Sequence, residues 1–139
     1  MSFPNPGDDE IRSLLGNTRR IAVVGISDKP GRASHGVARL MQQWGFTIIP
    51  VNPGLTEVLG EKCYPNLLAI PGPVDLVNVF RRPEEVDAIV DDALAIGAQA
   101  LWLQLDVVND AAAQRAQDAG MTVVMDRCLM VEYGRLFSE

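Results

Sequence analysis

Three observations predict a three-layer α/β sandwich around a parallel sheet. Short apolar runs show little alternation, helical apolar patterns lie between them, and a glycine ends the first run just before a polar loop. A strand buried on both faces has no solvent side, so it reads as one apolar block. Five such blocks occur, at residues 21–25, 47–51, 74–80, 100–105 and 122–125.

Ahead of the first block, Asp8 or Asp9 can cap a short helix whose Ile11, Leu14 and Leu15 share one face. Gly16 and Asn17 end it, and it is expected to lie across the sheet. After the first block, Val37, Leu40, Met41 and Trp44 recur at helical spacing, opened by Ser34 and stopped by Gly45. Pro83, with Glu84 and Glu85 in the first turn, opens a helix through Val86, Ile89, Val90 and Leu94 to Gly97, because proline loses nothing there and carboxylates suit the dipole. A further helix covers residues 110–119 and stops at Gly120. Right-handed crossovers between these elements give a Rossmann-type sandwich, with an expected strand order of 3-2-1-4-5. Residues 55–73 break the rhythm, and read as a longer crossover with a short strand at 62–64 and one helical turn after Pro65.

A length of 139 residues and 47% hydrophobic composition suit a single domain spanning 1–139. Only the first few residues lack the signs of order. A net charge of −6 argues against nucleic acid or anionic lipid as a partner, so an anionic ligand has to be met locally. Cys63 and Cys128 lie far apart and His35 is the single histidine, which leaves no zinc spacing and suggests a reduced, cytoplasmic protein. Neither a signal peptide nor a membrane-length apolar segment is visible.

In an open parallel sheet the ligand sits beyond the carboxyl ends of the strands, where their order reverses. The turn at Gly25, Ile26 and Ser27 is placed there, and a strand that stops and restarts as a helix leaves backbone N–H groups that attract anions. The glycines at 25, 31 and 36 miss the GxGxxG offsets of a dinucleotide site. The second strand ends Val51-Asn52-Pro53-Gly54, without the carboxylate that would take the ribose of NAD. Lys29, Arg32, Arg81 and Arg82 are candidates to face the same crevice, which suggests a ligand with more phosphate than NAD carries.

The stretches IAVVGISDKPGRASHGVA, IIPVNPG, LGEKCYPNLLAIPGPVDLVNVFRRPEEV, LWLQL and VVMDRCLMVEYGRL together resemble the small stand-alone CoA-binding proteins, relatives of the CoA-binding domain of the succinyl-CoA synthetase α chain. The resemblance covers about residues 10–137. It implies a Rossmann-like fold that accepts coenzyme A, with the diphosphate at the first loop, the adenosine near the end of strand two and the pantetheine arm across the strand ends. Carried over by position, Gly25, Ile26, Ser27, Lys29, Arg32 and Ser34 would contact phosphate. Val51, Asn52 and Pro53 would border the nucleotide, Phe80, Arg81 and Pro83 would line the crevice, and Gln104 would hydrogen-bond the arm. Two departures stand out: Asp106 replaces a glycine usual in these proteins, and Leu129-Met130 follow Cys128 where many have proline and lysine.

Cys128, His35 and Asp126 form the one set with the makings of a nucleophile, a base and an orienting group, all expected on the carboxyl-end side. Cys128 is also a candidate for a mixed disulfide with the thiol of CoA, against the alternative of a small buried hydrophobe. Trp44 and Trp102 are expected in the core. With the chain ending at Glu139, soon after the fifth strand, the phosphohistidine segment and nucleotide-grasp partner of the synthetase are not expected. The resulting expectation is non-catalytic binding of coenzyme A or acyl-CoA, with an NAD(P)-binding redox domain as the alternative.

Overall fold

In the computed structural model, which describes residues 3–138, the apolar blocks become the strands of one five-stranded parallel sheet. The chain runs α1 (Asp8–Gly16), β1 (Arg20–Val24), α2 (Ala33–Gln43), β2 (Thr47–Val51), β3 (Glu57–Val58), β4 (Glu61–Lys62), β5 (Leu76–Val79), α3 (Val86–Ala95), β6 (Ala100–Leu103), α4 (Asp110–Asp118), β7 (Thr122–Met125) and α5 (Leu129–Phe137). The pleat sends alternate residues to opposite layers. Ala22, Val24, Val77, Val79, Leu101 and Leu103 join α3 and α4 in one core, whereas Ile21, Val23, Leu76, Ala100 and Trp102 join α1, α2 and α5 in the other. No described helix is long and apolar enough to cross a membrane.

The strand order corrects the expected 3-2-1-4-5. The observed order is β2-β1-β5-β6-β7, which in the five main strands reads 2-1-3-4-5. The third strand therefore lies beside the first, not outside the second. The crossover itself fills the place outside β2: Tyr64 N–H donates to Pro50 O (3.0 Å) and Tyr64 O accepts from Asn52 N–H (2.9 Å). Asp75 then pins the returning chain to the other side of β1, its carboxylate accepting the N–H groups of Arg19 (2.9 Å) and Arg20 (2.8 Å). Arg20 adds bonds to the carbonyls of Pro73 and Pro71. Leu76–Val79, buried throughout, gains a neighbour on each edge. The order in which strands are added now reverses between β1 and β5, which is the switch point of this parallel sheet.

Both sheet edges are managed. Pro50 faces the outer edge of β2, where its missing N–H withdraws one ladder donor. At β7 the Asn5 side chain imitates a strand residue, accepting from Met125 N–H (2.8 Å) and donating to Met125 O (2.9 Å). Residues 3–7 are thus ordered, contrary to the sequence expectation, and Phe3 is buried against the core.

Other differences are local. The short strand expected at 62–64 is displaced: the hairpin arm is Glu61–Lys62 and Tyr64 makes only an isolated bridge to Val51, while the helical turn after Pro65 is present at Leu67–Ala69. Trp102 is fully buried, as expected; Trp44 is 41% exposed, because it caps α2 and lies across Tyr133 of α5 with ring centroids 5.2 Å apart. Helix α5 had no counterpart in the sequence reading. Ile11 and Leu15 of α1 share its core layer, and Arg135 joins Asp8 of α1 to Glu132.

Candidate functional site

The site grows from the end of β1. Gly25 continues the ladder by donating its N–H to Val51 O (2.9 Å), then turns with φ +87°. A Cβ there would lie 2.5 Å from Phe80 O and 2.7 Å from Arg81 Cδ, so both the turn and the close approach of the neighbouring strand require glycine. Ile26 plunges into the core and anchors the loop.

Beyond it the loop fastens itself. Ser27 N–H donates to Ser34 Oγ (2.9 Å), and Lys29 N–H donates to Ser27 Oγ (3.0 Å). Ser34 was expected to cap α2; the N-cap is Arg32, and Ser34, one residue inside the helix, holds the loop instead. Part of the expected row of unpaired amides is therefore satisfied internally. Among the described residues the N–H groups of Ile26, Ala33 and Ser34 keep no acceptor. Asn52 ties the end of β2 to this turn, donating Nδ2–H to Ile26 O (2.9 Å) and accepting Gly54 N–H (2.8 Å).

Two cavities flank the turn. The first, of about 490 Å³, brings together Gly25, Ile26, Ser27, Arg32, Ser34, Asn52 and Phe80, seven of the residues expected from sequence. The second, of about 380 Å³, lies between the end of β2 and α3, and contains Val51, Pro53 and Arg81, with Gly25 shared between the two. Three expected residues line neither. Lys29 is exposed on the loop, Pro83 O accepts from Asn109 Nδ2–H (3.0 Å), and Gln104 is buried with Oε1 accepting Leu129 N–H (2.9 Å), where it caps α5.

Both cavities contain charges of each sign: Arg32 and Asp28 line the first without an ion pair between them, and Arg81 lines the second with three carboxylates. Lys29 and Arg32 form no ion pair among the described residues. Arg81 is hydrogen-bonded to Glu85, and Arg82 lies 3.4 Å from Glu84 and 3.5 Å from Glu85. The Arg81 guanidinium holds the Glu85 carboxyl below the usual carboxylate range, against the opposing effect of burial. Glu84, Glu85 and Asp92 all line the second cavity. None was singled out as a ligand neighbour from the sequence, although the i, i+4 spacing of Arg81 and Glu85 at a helix start carries the signal for the pair. The apolar walls from Pro65, Leu67, Ala88 and Ile89 had no such signal, since the crossover that delivers them shows no period.

The set considered for catalysis is not linked: no hydrogen bond joins Cys128, His35 and Asp126. Cys128 is the half-buried N-cap of α5. Buried His35 leaves Nδ1 without a partner, and the Asp126 carboxylate accepts Asp106 N–H (2.8 Å). Cys63 donates to Asn52 O (3.6 Å), and burial pushes its thiol up, which keeps it protonated and inert.

Comparison with known proteins gives a consistent result. The family described as CoA binding domain matches residues 19–134. An uncharacterized protein of Bacillus subtilis, YneT, is 45% identical over 129 residues, covering 93% of this chain and 96% of that protein. A hypothetical protein from Pyrococcus horikoshii superposes with a TM-score of 0.92 at 37% identity, covering 99% of this chain and all of that one. An ADP-forming acetate–CoA ligase of Archaeoglobus fulgidus is 38% identical over 72 residues, which are 52% of this chain and only 10% of the ligase. By the extent of the family match and the near-complete overlap with these small relatives, the chain belongs to the CoA-binding domain family.

Proposed function

We propose that this protein binds coenzyme A or an acyl-CoA at the carboxyl ends of β1, β2 and β5 and does not itself turn the ligand over. The observation that carries the reading is the first cavity, where a glycine turn, unpaired amides at the start of α2 and an Arg32 without a carboxylate partner converge. Such a corner suits a diphosphate, because the N–H groups and the helix dipole point at the anion and the guanidinium offers a planar fork. The second cavity, walled by Val51, Pro53 and Ile89, suits the adenosine. The pantetheine arm then crosses the strand ends toward Gln104, whose Nε2 is its remaining donor, since Oε1 is held by Leu129. Lys29 and Pro83 belong to the outer rim of this arrangement. The ligase relatives, named for CoA, favour the same ligand.

An NAD(P) site is the weaker reading. Asn52 stands where that site needs a carboxylate, and both ends of its amide are already engaged within the fold. The absence of any link among Cys128, His35 and Asp126 favours a binding role over thiol catalysis. Thermal unfolding tests the reading. A ligand at about a hundred times its dissociation constant stabilises by roughly 2.7 kcal/mol, so CoA should raise the midpoint and NADH should not. The opposite pattern refutes the assignment. Mass spectrometry of small molecules released on denaturation should find CoA or its esters.

A further inference from the structure

From the phosphate corner after β1 the strand ends follow in the order β5, β6 and β7, and they carry in turn Phe80, Gln104 with Leu105, and Cys128. The turn bearing Cys128 is stitched to the end of β6. Asp126 N–H donates to Leu103 O (2.8 Å), Asp106 N–H to Asp126 Oδ1 (2.8 Å), Trp102 Nε1–H to Arg127 O (2.8 Å) and Leu129 N–H to Gln104 Oε1 (2.9 Å). Cys128 is thereby held half-buried at the start of α5, with the exposed Leu105 on the segment bonded to its turn. Gln104 supplies an independent sign of a ligand. Its side chain belongs to a residue only 5% exposed, and its Nε2 has no acceptor among the described residues. That donor is nevertheless open, since the fully enclosed atoms without partners are His35 Nδ1 and the two amide atoms of Asn78. The two ends of a carboxamide lie about 2.3 Å apart. With Oε1 on Leu129 N–H, the open Nε2 stands beside Cys128.

We infer that Cys128 is a thiol–disulfide exchange site for coenzyme A: a CoA disulfide held by one diphosphate in the first cavity presents its sulfur to Cys128, and the chain is left joined to one CoA. The inference rests on the coenzyme reading above, which puts the diphosphate at the end of β1. Reach supports it. Three sheet spacings separate β1 from β7, roughly 14 Å. The pantetheine arm is a linear chain with two amides, as long as about four or five extended residues, or roughly 13–18 Å. On its way it passes Phe80, and Gln104 Nε2–H can donate to an amide carbonyl of the arm. The sulfur end carries no charge, so the Asp106 and Asp126 carboxylates near the turn do not oppose it as they would a phosphate. In the exchange the Cys128 thiolate attacks one sulfur of the CoA disulfide. The S–S bond between the two CoA halves breaks as the bond from Cys128 to one of them forms, and the departing CoA thiolate takes up the proton that Cys128 gave up. The disulfide is itself the oxidant. Cys63, buried and donating to Asn52 O, is the comparison within the same chain.

Intact mass of the full chain, recorded without reductant after incubation with CoA disulfide, tests this. One CoA per chain should be added and then removed by dithiothreitol, and peptide mapping of the wild type should place it on Cys128 and not on Cys63. Cys128→Ser should form no adduct. Pantethine, the disulfide of the same arm without the nucleotide, sets the baseline. Docking raises the local concentration of the sulfur to about millimolar, so CoA disulfide at about 0.1 mM should react about tenfold faster than pantethine at the same concentration. An excess of desulfo-CoA, which can fill the site and cannot exchange, should remove that advantage. An adduct on Cys63, an adduct that persists in Cys128→Ser, pantethine as fast as CoA disulfide, or no adduct on a chain whose melting midpoint CoA raises overturns the inference while the coenzyme reading stands. No adduct on a wild type whose midpoint CoA leaves unmoved overturns both.

Discussion

Replacing Gly25 by alanine places a single methyl group at the meeting point of fold and site. The backbone there has φ +87°, which costs an L-residue roughly 1–2 kcal/mol. The new Cβ would meet Phe80 O at 2.5 Å, so the ends of β1 and β5 must part by roughly 1 Å to restore ordinary contact, at about 1–3 kcal/mol in a packed interior. The two together come to roughly 2–5 kcal/mol, a large share of a typical domain's stability. At roughly 3 °C per kcal/mol the melting midpoint should fall by about 6–15 °C. Gly36→Ala is the internal comparison: it lies within α2 with nothing within 4 Å of its Cβ position, and should gain about 0.5–1 kcal/mol from helix propensity. Differential scanning calorimetry of both variants reads the contrast. A Gly25→Ala midpoint within about 2 °C of wild type would mean that the strand ends are not packed as described.

Asp106 sits at φ +69° with its own N–H bound to Asp126, so Asp106→Gly removes backbone strain without losing that bond. Urea denaturation should show a gain of about 0.5–1 kcal/mol, and a loss would mean that the carboxylate itself is needed. Asp8 and Glu132 both hydrogen-bond Arg135, which holds each below its ordinary value of 3.8 or 4.5. A depressed carboxylate contributes stability that is complete above its unfolded pKa and disappears as pH falls through the native one. Melting points should thus be level from neutrality to about pH 5 and decline below it, and Arg135→Gln should make the acid decline shallower; an unchanged slope would remove this triad from the account. Acrylamide quenching should reach one tryptophan only, since Trp102 is fully buried and Trp44 is 41% exposed. Trp44→Phe should abolish the quenchable component, and persistence of strong quenching would show that Trp102 is accessible.

What the sequence made legible follows from which signals are local. Apolar blocks locate the strands because a doubly covered strand needs no information from elsewhere, and Gly25 announces its turn through a constraint carried by one residue. Strand order is not local. It depends on Asp75 reaching two amides that lie more than fifty residues away, and on Tyr64 closing the edge of β2, neither of which leaves a periodic trace. Helix α5 was legible in principle, with Leu129, Glu132 and Leu136 on one buried face. Its inner face, however, includes a charged residue, so an apolar-stripe criterion passes over it. Seven of the expected site residues meet in the first cavity because they lie on the segments that follow β1, β2 and β5, whose ends are neighbours in the sheet. Gln104 was read as a ligand neighbour from its place at a strand end, yet its oxygen is committed to the first turn of α5, a bond to a helix the sequence reading did not contain.

The charge distribution shows how a chain of net charge −6 can present a site for an anion. Most of its arginines are bound to carboxylates or carbonyls: Arg115 to Asp87 and Asp91, Arg135 to Asp8 and Glu132, Arg20 to Pro71 and Pro73, and Arg81 and Arg82 to Glu84 and Glu85. Six of the twelve lysines and arginines are ion-paired among the described residues, and Arg32, beside the unpaired amides of α2, is an unpaired one inside a cavity. Long-range attraction then contributes little to an anion's approach, and the net charge opposes it. On the proposed coenzyme reading, this arrangement would favour a small phosphate ester over a nucleic-acid backbone. A polyphosphate chain lying on the surface would meet a net acidic exterior, whereas a ligand in the first cavity would present its diphosphate to a corner where the N–H groups of Ile26, Ala33 and Ser34 and the Arg32 guanidinium are uncommitted, even with Asp28 in the same lining.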